Sequence, residues 1–273
     1  MLTVCYQIAA KPISAWRHPG ETTNIRYETS MTHLKKILFT SVCAATLGAM
    51  PAAAMELTGG DISLGYSAFS EDSDLSRMAV EGSLELGINR AFSVQFDLSH
   101  YEFGFVNEGV TSGAVHAIYH FNDTTSAGLF YGRESNSFTS IDFYGAEVGR
   151  DFGALDLEAY VGFGDESGVS ATAFGIAGAY QLNDHFSVGA AYDRVDFEGD
   201  VHIYTTAFRA NYEPAENVTL YGEVGSAGIG ATAFGVTANL SSTYLGLGVE
   251  YAFGAKRGAT FGERGLTRLL PGL

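Results

Sequence analysis

The chain has 273 residues, enough for one large domain or two small ones, and combines 46% apolar residues with 34 glycines, 19 phenylalanines, 15 tyrosines and only 15 lysines and arginines. Its formal charge of −16 argues against nucleic acid as a partner, because little basic surface exists to neutralise phosphates. No apolar run could form a transmembrane helix except one near residue 37, which the export signal explains.

From Met31 the chain reads as a secretory signal peptide spanning 31–54. Lys35 and Lys36 form a basic start, Ile37 to Met50 a short apolar run, and Ala52-Ala53-Ala54 a small-residue cleavage site, with cleavage expected before Met55. A membrane anchor would need a longer run. Residues 1–30 precede this complete signal without periodicity, so they read as an upstream extension that is not part of the native protein. Cys5, Cys43 and Trp16 all precede the cleavage point. The mature chain then has neither a disulfide nor a thiol site.

After Met55, strand-like segments follow one another with little between them. They fall at 61–69, 77–88, 92–101, 112–121, 126–133, 140–150, 154–163, 171–182, 186–195, 202–213, 217–225, 231–240 and 244–253. Most have about ten residues, the length of a tilted strand crossing a bilayer. Within most of them large apolar side chains alternate with small or polar ones, which is the period of a strand. Phe92, Val94, Phe96 and Leu98 alternate with Ser93, Gln95, Asp97 and Ser99. In 140–150 Phe143 and Tyr144 are adjacent and leave the facing open.

The connections are of two kinds. Asn89-Arg90-Ala91, Asn122-Asp123-Thr124, Asp151-Phe152-Gly153, Asn183-Asp184-His185 and Pro214-Ala215-Glu216 are tight turns. Between them lie longer, often acidic loops such as Ser70–Ser76 and Glu102–Thr111. Ala171–Ile176 recurs as Ala231–Val236 with one residue changed, so a hairpin is the repeating unit.

Aromatic residues sit near the ends of the apolar face, among them Phe92, Tyr119, Phe121, Tyr180, Phe186, Tyr212, Tyr251 and Phe253. That placement suits the two interfaces of a membrane. The opposite face is small and polar, as a water-filled interior requires. The reading is all-β: a transmembrane antiparallel up-and-down β-barrel over 55–253, of about 12 strands within a range of roughly 10–14, followed by a basic tail at 254–273. Thirteen segments can be counted, and such barrels use even numbers, so one segment is miscounted; 61–69 and the pair 231–253 are the first suspects.

With its signal sequence, its hairpins joined by turns such as Leu182–Val188 and its last strand Leu245–Phe253, the chain resembles the outer-membrane β-barrel and porin-like proteins of Gram-negative bacteria. The resemblance covers residues 55–253. It implies a location in the outer membrane and a last strand that the barrel-assembly machinery reads, ending in the aromatic Phe253. In that family this strand usually closes the chain, whereas here residues 254–273 follow it.

The interior face carries Glu81, Glu85, Asp97, Glu147, Asp156, Glu158, Asp193, Glu223 and Glu250, with Arg209 as the basic residue placed among them. Acid lining a wet pore favours cations, so a diffusion channel for small hydrophilic solutes with a cation preference is expected. The alternatives are a structural or adhesive barrel acting through its loops and a lipid-modifying enzyme. For the enzyme, His116 and His120 share a face with Ser112. However, Ser112 is about 13 Å along the strand from His116, so other strands would have to complete a catalytic set. The same spacing suits a metal poorly, and no cofactor is expected. Lipid is the expected surroundings, and nothing indicates an oligomeric state. The tail reads as an unstructured end, a contact for a periplasmic partner, or a positive plug for the acidic lumen.

Overall fold

The computed structural model describes residues 55–105, 108–166, 169–199, 201–233, 236–255 and 258–271. Residues 1–30, the expected export signal at 31–54 and both cysteines lie outside them.

Twelve strands form one closed sheet: β1 (Glu56–Phe69), β2 (Ser76–Gly87), β3 (Phe92–Phe103), β4 (Gly109–Asn122), β5 (Thr125–Ser135), β6 (Ser140–Asp151), β7 (Leu155–Glu166), β8 (Val169–Asn183), β9 (Phe186–Phe197), β10 (Val201–Ala215), β11 (Val218–Ala233) and β12 (Val236–Phe253). Each pairs antiparallel with its neighbours in sequence. The barrel closes where β1 meets β12, from Gly60 opposite Phe253 to Phe69 opposite Tyr244. Closure leaves no free strand edge, which a bilayer requires because it offers no water to an unpaired amide.

The thirteenth segment resolves here. Residues 231–240 are the end of β11 and the start of β12, joined across 234–235. An even count places both Glu56 and Phe253 at the end of the barrel that carries the tight turns. Short turns mark the periplasmic end of such barrels.

Side-chain oxygens hold those turns. Asn89 Oδ1 accepts from the amides of Ala91 (2.8 Å) and Phe92 (3.1 Å), and Asn183 Oδ1 repeats the arrangement with His185 (2.9 Å) and Phe186 (3.1 Å). The carboxamide copies a backbone turn and fixes the hairpin register. This is why the two stretches look alike in sequence. The fifth turn falls two residues beyond Pro214: β10 runs on to Ala215, and Asn217 takes the left-handed conformation with φ 69°.

The apolar face points outwards. Ile62, Leu98, Leu129 and Leu247 are 57–66% exposed, an arrangement that water would penalise and hydrocarbon favours. In β6 the facing is now settled. Phe143 is buried inside and Tyr144 faces out. The lumen therefore contains an apolar cluster of Ala114, Phe130 and Phe143, with Tyr160 against it.

Candidate functional site

After Phe253 the chain turns back into the barrel. Gly254 has φ 86°, a left-handed conformation that glycine adopts without cost. The segment then runs up the bore from the tight-turn end towards the long-loop end, touching the wall at successive heights. Near the bottom, Glu85 accepts from Thr260 N (2.8 Å) and Oγ1 (2.5 Å). Gln95 makes a two-way pair with the Phe261 backbone, donating to its carbonyl at 2.7 Å and accepting from its amide at 3.2 Å. Ser99 donates to Glu263. Near the top, the Glu134 carboxylate accepts from Thr267 N (3.0 Å) and Oγ1 (3.1 Å), Thr205 donates to the Leu269 carbonyl (2.8 Å), and Ser67 donates to that of Pro271.

Phe261, Arg264, Thr267, Leu269 and Leu270 are buried. Leu269 packs on Ala171, Ala173 and Val195, with Leu266 beside it. Among the described residues of the segment, only Thr267–Leu269 is helical, as a single 3₁₀ turn. Leu266, Leu269 and Leu270 do not share one helical face, since a single 3₁₀ turn is too short to gather them. An unstructured end is likewise excluded for residues 258–271, because polar side chains of the wall hydrogen-bond the backbone of Thr260, Phe261, Gly262, Thr267, Leu269 and Pro271.

The centre of the contact is Arg264, 3% exposed. Its Nε donates to Glu147 Oε2 at 2.9 Å and its Nη1 lies 3.5 Å from Glu158 Oε1. Its guanidinium lies over the Tyr160 ring, 4.6 Å from the centroid. Tyr160 is itself fixed: its hydroxyl donates to Asp193 (2.8 Å), which also accepts from Arg268 (3.1 Å). The ring fits because β8 has Gly175 opposite, where a Cβ would lie 2.4 Å from it. Behind Glu147, His116 is held between Glu147 (2.6 Å) and Asp97 (2.8 Å), with no exposure. A chain of alternating acid and base thus runs Asp97, His116, Glu147, Arg264, Glu158.

Through its middle the segment fills the side of the lumen against β3 to β7, and its end crosses to β8, β9, β10 and β1. Opposite it a cavity of about 520 Å³ remains. Ala177, Ala179, Gly189, Ala191, Ala207 and Gly246 form its small-residue wall. Eight carboxylates and three arginines line it (Arg77, Arg209 and Arg268).

No family model matches the sequence, and no curated protein sequence does either. Solved structures do. The KdgM porin superimposes with a TM-score of 0.52 at 14% identity, covering 71% of this chain and 99% of that one. The same porin in complex with disordered oligogalacturonate gives 0.53 at 14% identity, over 71% and 99%. The NanC porin gives 0.52 at 14%, over 70% and 98%. The chain has the fold of a porin-like outer-membrane β-barrel.

In this porin-like barrel all ten residues singled out from the alternation face inwards, but they divide into two groups. Glu81, Asp156, Glu158, Asp193, Arg209, Glu223 and Glu250 line the cavity. Glu85, Asp97 and Glu147 do not: they are buried with the C-terminal segment or with His116. Arg209 is paired with Glu223 (3.0 Å) and lies over Tyr221. The alternation missed Asp61, Glu134 and Arg77 on the same face, and with them the interior tyrosines 101, 221 and 244. Their even spacing from neighbouring interior residues was a usable signal. For the tail the signal was its charge, opposite to that of the barrel.

His120, not His116, has serines beside it: Ser93 at 2.9 Å on Nε2 and Ser126 at 2.7 Å on Nδ1. Glu85 lies 3.6 Å from the same Nε2 that meets Ser93. A catalytic acid belongs on the nitrogen opposite the nucleophile, within hydrogen-bond reach. Glu85 is also engaged by Thr260. The group is a polar contact at the tight-turn rim without the geometry of a triad. Among the described residues, no group of three or more potential ligands is placed to hold a metal ion.

Proposed function

We propose that the protein is an outer-membrane channel for passive diffusion of small hydrophilic solutes, narrowed by its own C-terminal segment and preferring cations. The observation that supports this reading is the polar cavity left beside that segment, where seven acidic residues besides Glu263 stand against three arginines. Charge of one sign in a confined aqueous space concentrates counter-ions. The same excess of acid argues against a polyuronate such as the ligand in one KdgM porin structure, since that ligand would meet like charge throughout. We also propose that the barrel-assembly machinery reads β12, with Phe253 as its aromatic end.

Planar-bilayer recording of the refolded protein tests the reading. Stepwise conductance with a reversal potential on the cation side is expected. The absence of steps would overturn the channel, and anion selectivity would overturn the charge argument. A second reading, a barrel that acts structurally, draws support from the filled β3–β7 side, and a barrel without conductance would favour it.

A further inference from the structure

The wall residues around Arg264 form a site that exists without it. Glu147 on β6 and Glu158 and Tyr160 on β7 belong to the barrel; Glu147 and Tyr160 are held by partners outside the tail, while Glu158 also accepts from the Gly262 amide of the tail at 3.1 Å. Glu147 is fixed by His116 at 2.6 Å and Tyr160 by Asp193 at 2.8 Å. Two carboxylates and an aromatic face are the set that recognises a planar, delocalised cation with several donors. An ammonium uses such a set poorly, because it is a compact point charge without a flat face.

We propose that Glu147, Glu158 and Tyr160 form a guanidinium-selective binding site in the lumen, that Arg264 is its tethered occupant, and that the solutes the channel favours carry a guanidinium group that competes with Arg264. The substrate class rests on the channel reading above, while the binding site does not. The tether gives Arg264 an effective concentration of the order of millimolar, so a free guanidinium competes only at comparable levels. Nη2 of Arg264 is buried without a hydrogen-bond partner. The occupant therefore leaves one donor unused, which a free ligand able to turn in the site would not be bound to do. Arg268 stands beside the site on Asp193 and marks the path towards the long-loop end, where Arg77 caps the carbonyl of Arg268 at 2.7 Å.

The test is the unfolding temperature of the full barrel in detergent micelles, with ethylguanidinium or ethylammonium as probe. In Arg264→Ala the site is vacated. Ethylguanidinium at ten times its Kd should then raise the midpoint by about 3 °C, and ethylammonium of equal charge should raise it by less than a third of that. Wild type, in which Arg264 competes for the site, should shift by less at the same concentration, and adding Glu158→Gln to Arg264→Ala should abolish the response. Equal shifts from the two probes, or an equal shift in wild type, would overturn the proposal by reducing the effect to charge screening. Arg264→Gln, which keeps a donor for Glu147, gives the same comparison if the alanine variant fails to assemble. Conduction is not needed for this readout. A barrel that binds ethylguanidinium but passes no current would sink the channel and keep the site, and a conducting barrel with no shift would do the reverse.

Discussion

A single interior carboxylate and a single lipid-facing leucine show the two environments that this chain must satisfy. Glu147 is fully buried and holds both Arg264 and His116. Replacing it with alanine leaves a guanidinium without its main acceptor in a dry place. Breaking a buried pair in this way costs about 3–5 kcal/mol, to be read from reversible urea unfolding in vesicles. Glu198→Ala, at an exposed loop, should change stability by less than about 0.5 kcal/mol. Leu247 is 64% exposed on the outer wall. Leu247→Arg should cost about 2–4 kcal/mol if it lies near the bilayer midplane, and less in detergent micelles, which deform around the charge. An equal loss in both media would show that Leu247 does not face lipid.

The C-terminal segment is the element whose behaviour depends on pH. Glu263 lies against Ser99, and burial together with the carboxylates of Glu81, Asp97 and Asp61 pushes it up to about 9. It faces β1, β2 and β3, whose interior charges are Asp61, Arg77, Glu81, Glu85 and Asp97, with Arg264 next to it in the chain. An acid whose pKa is higher when docked binds its proton more tightly in that state. Its support for docking is full below about pH 4.5, its ordinary value, and falls as pH rises through about 9. Mean current should therefore increase from pH 5 to pH 9 as the segment loosens, and Glu263→Gln should flatten the rise. A current that falls with pH in wild type would contradict the argument. Removing residues 254–273 should enlarge the conductance at every pH, because the β3–β7 side of the lumen is then emptied. The barrel should still form, since the closing pairs of β1 with β12 end at Phe253.

For the whole molecule the governing quantity is the field inside the barrel. Residues 55–253 carry 28 of the 31 acidic residues and six of the 15 basic ones. Many of the acids lie in loops, where salt screens them, while those lining the cavity are partly shielded from solvent. Selectivity should thus weaken but persist between 0.1 M and 1 M salt, as the Debye length falls from about 10 Å to about 3 Å. Reversal potentials at both concentrations check this. Selectivity lost entirely at 1 M would assign it to the loops.

Sequence by itself determined the alternation, the turns and the closed all-β architecture, because each is a local property. A period of two follows from the strand, and an Asn that caps a turn acts within three residues. The same local rule put all ten candidate residues on the interior face. What it could not determine was which of them stay open to water. Glu85, Asp97 and Glu147 look no different in sequence from Glu81 or Glu250, yet they are closed off, because Thr260, Arg264 and His116 reach them across the bore. Those contacts join residues 19 (Asp97 to His116) to 175 (Glu85 to Thr260) positions apart. Only the closure of the barrel decides the distance between such residues, so only the tertiary structure could make a short basic tail the partner of the acidic wall.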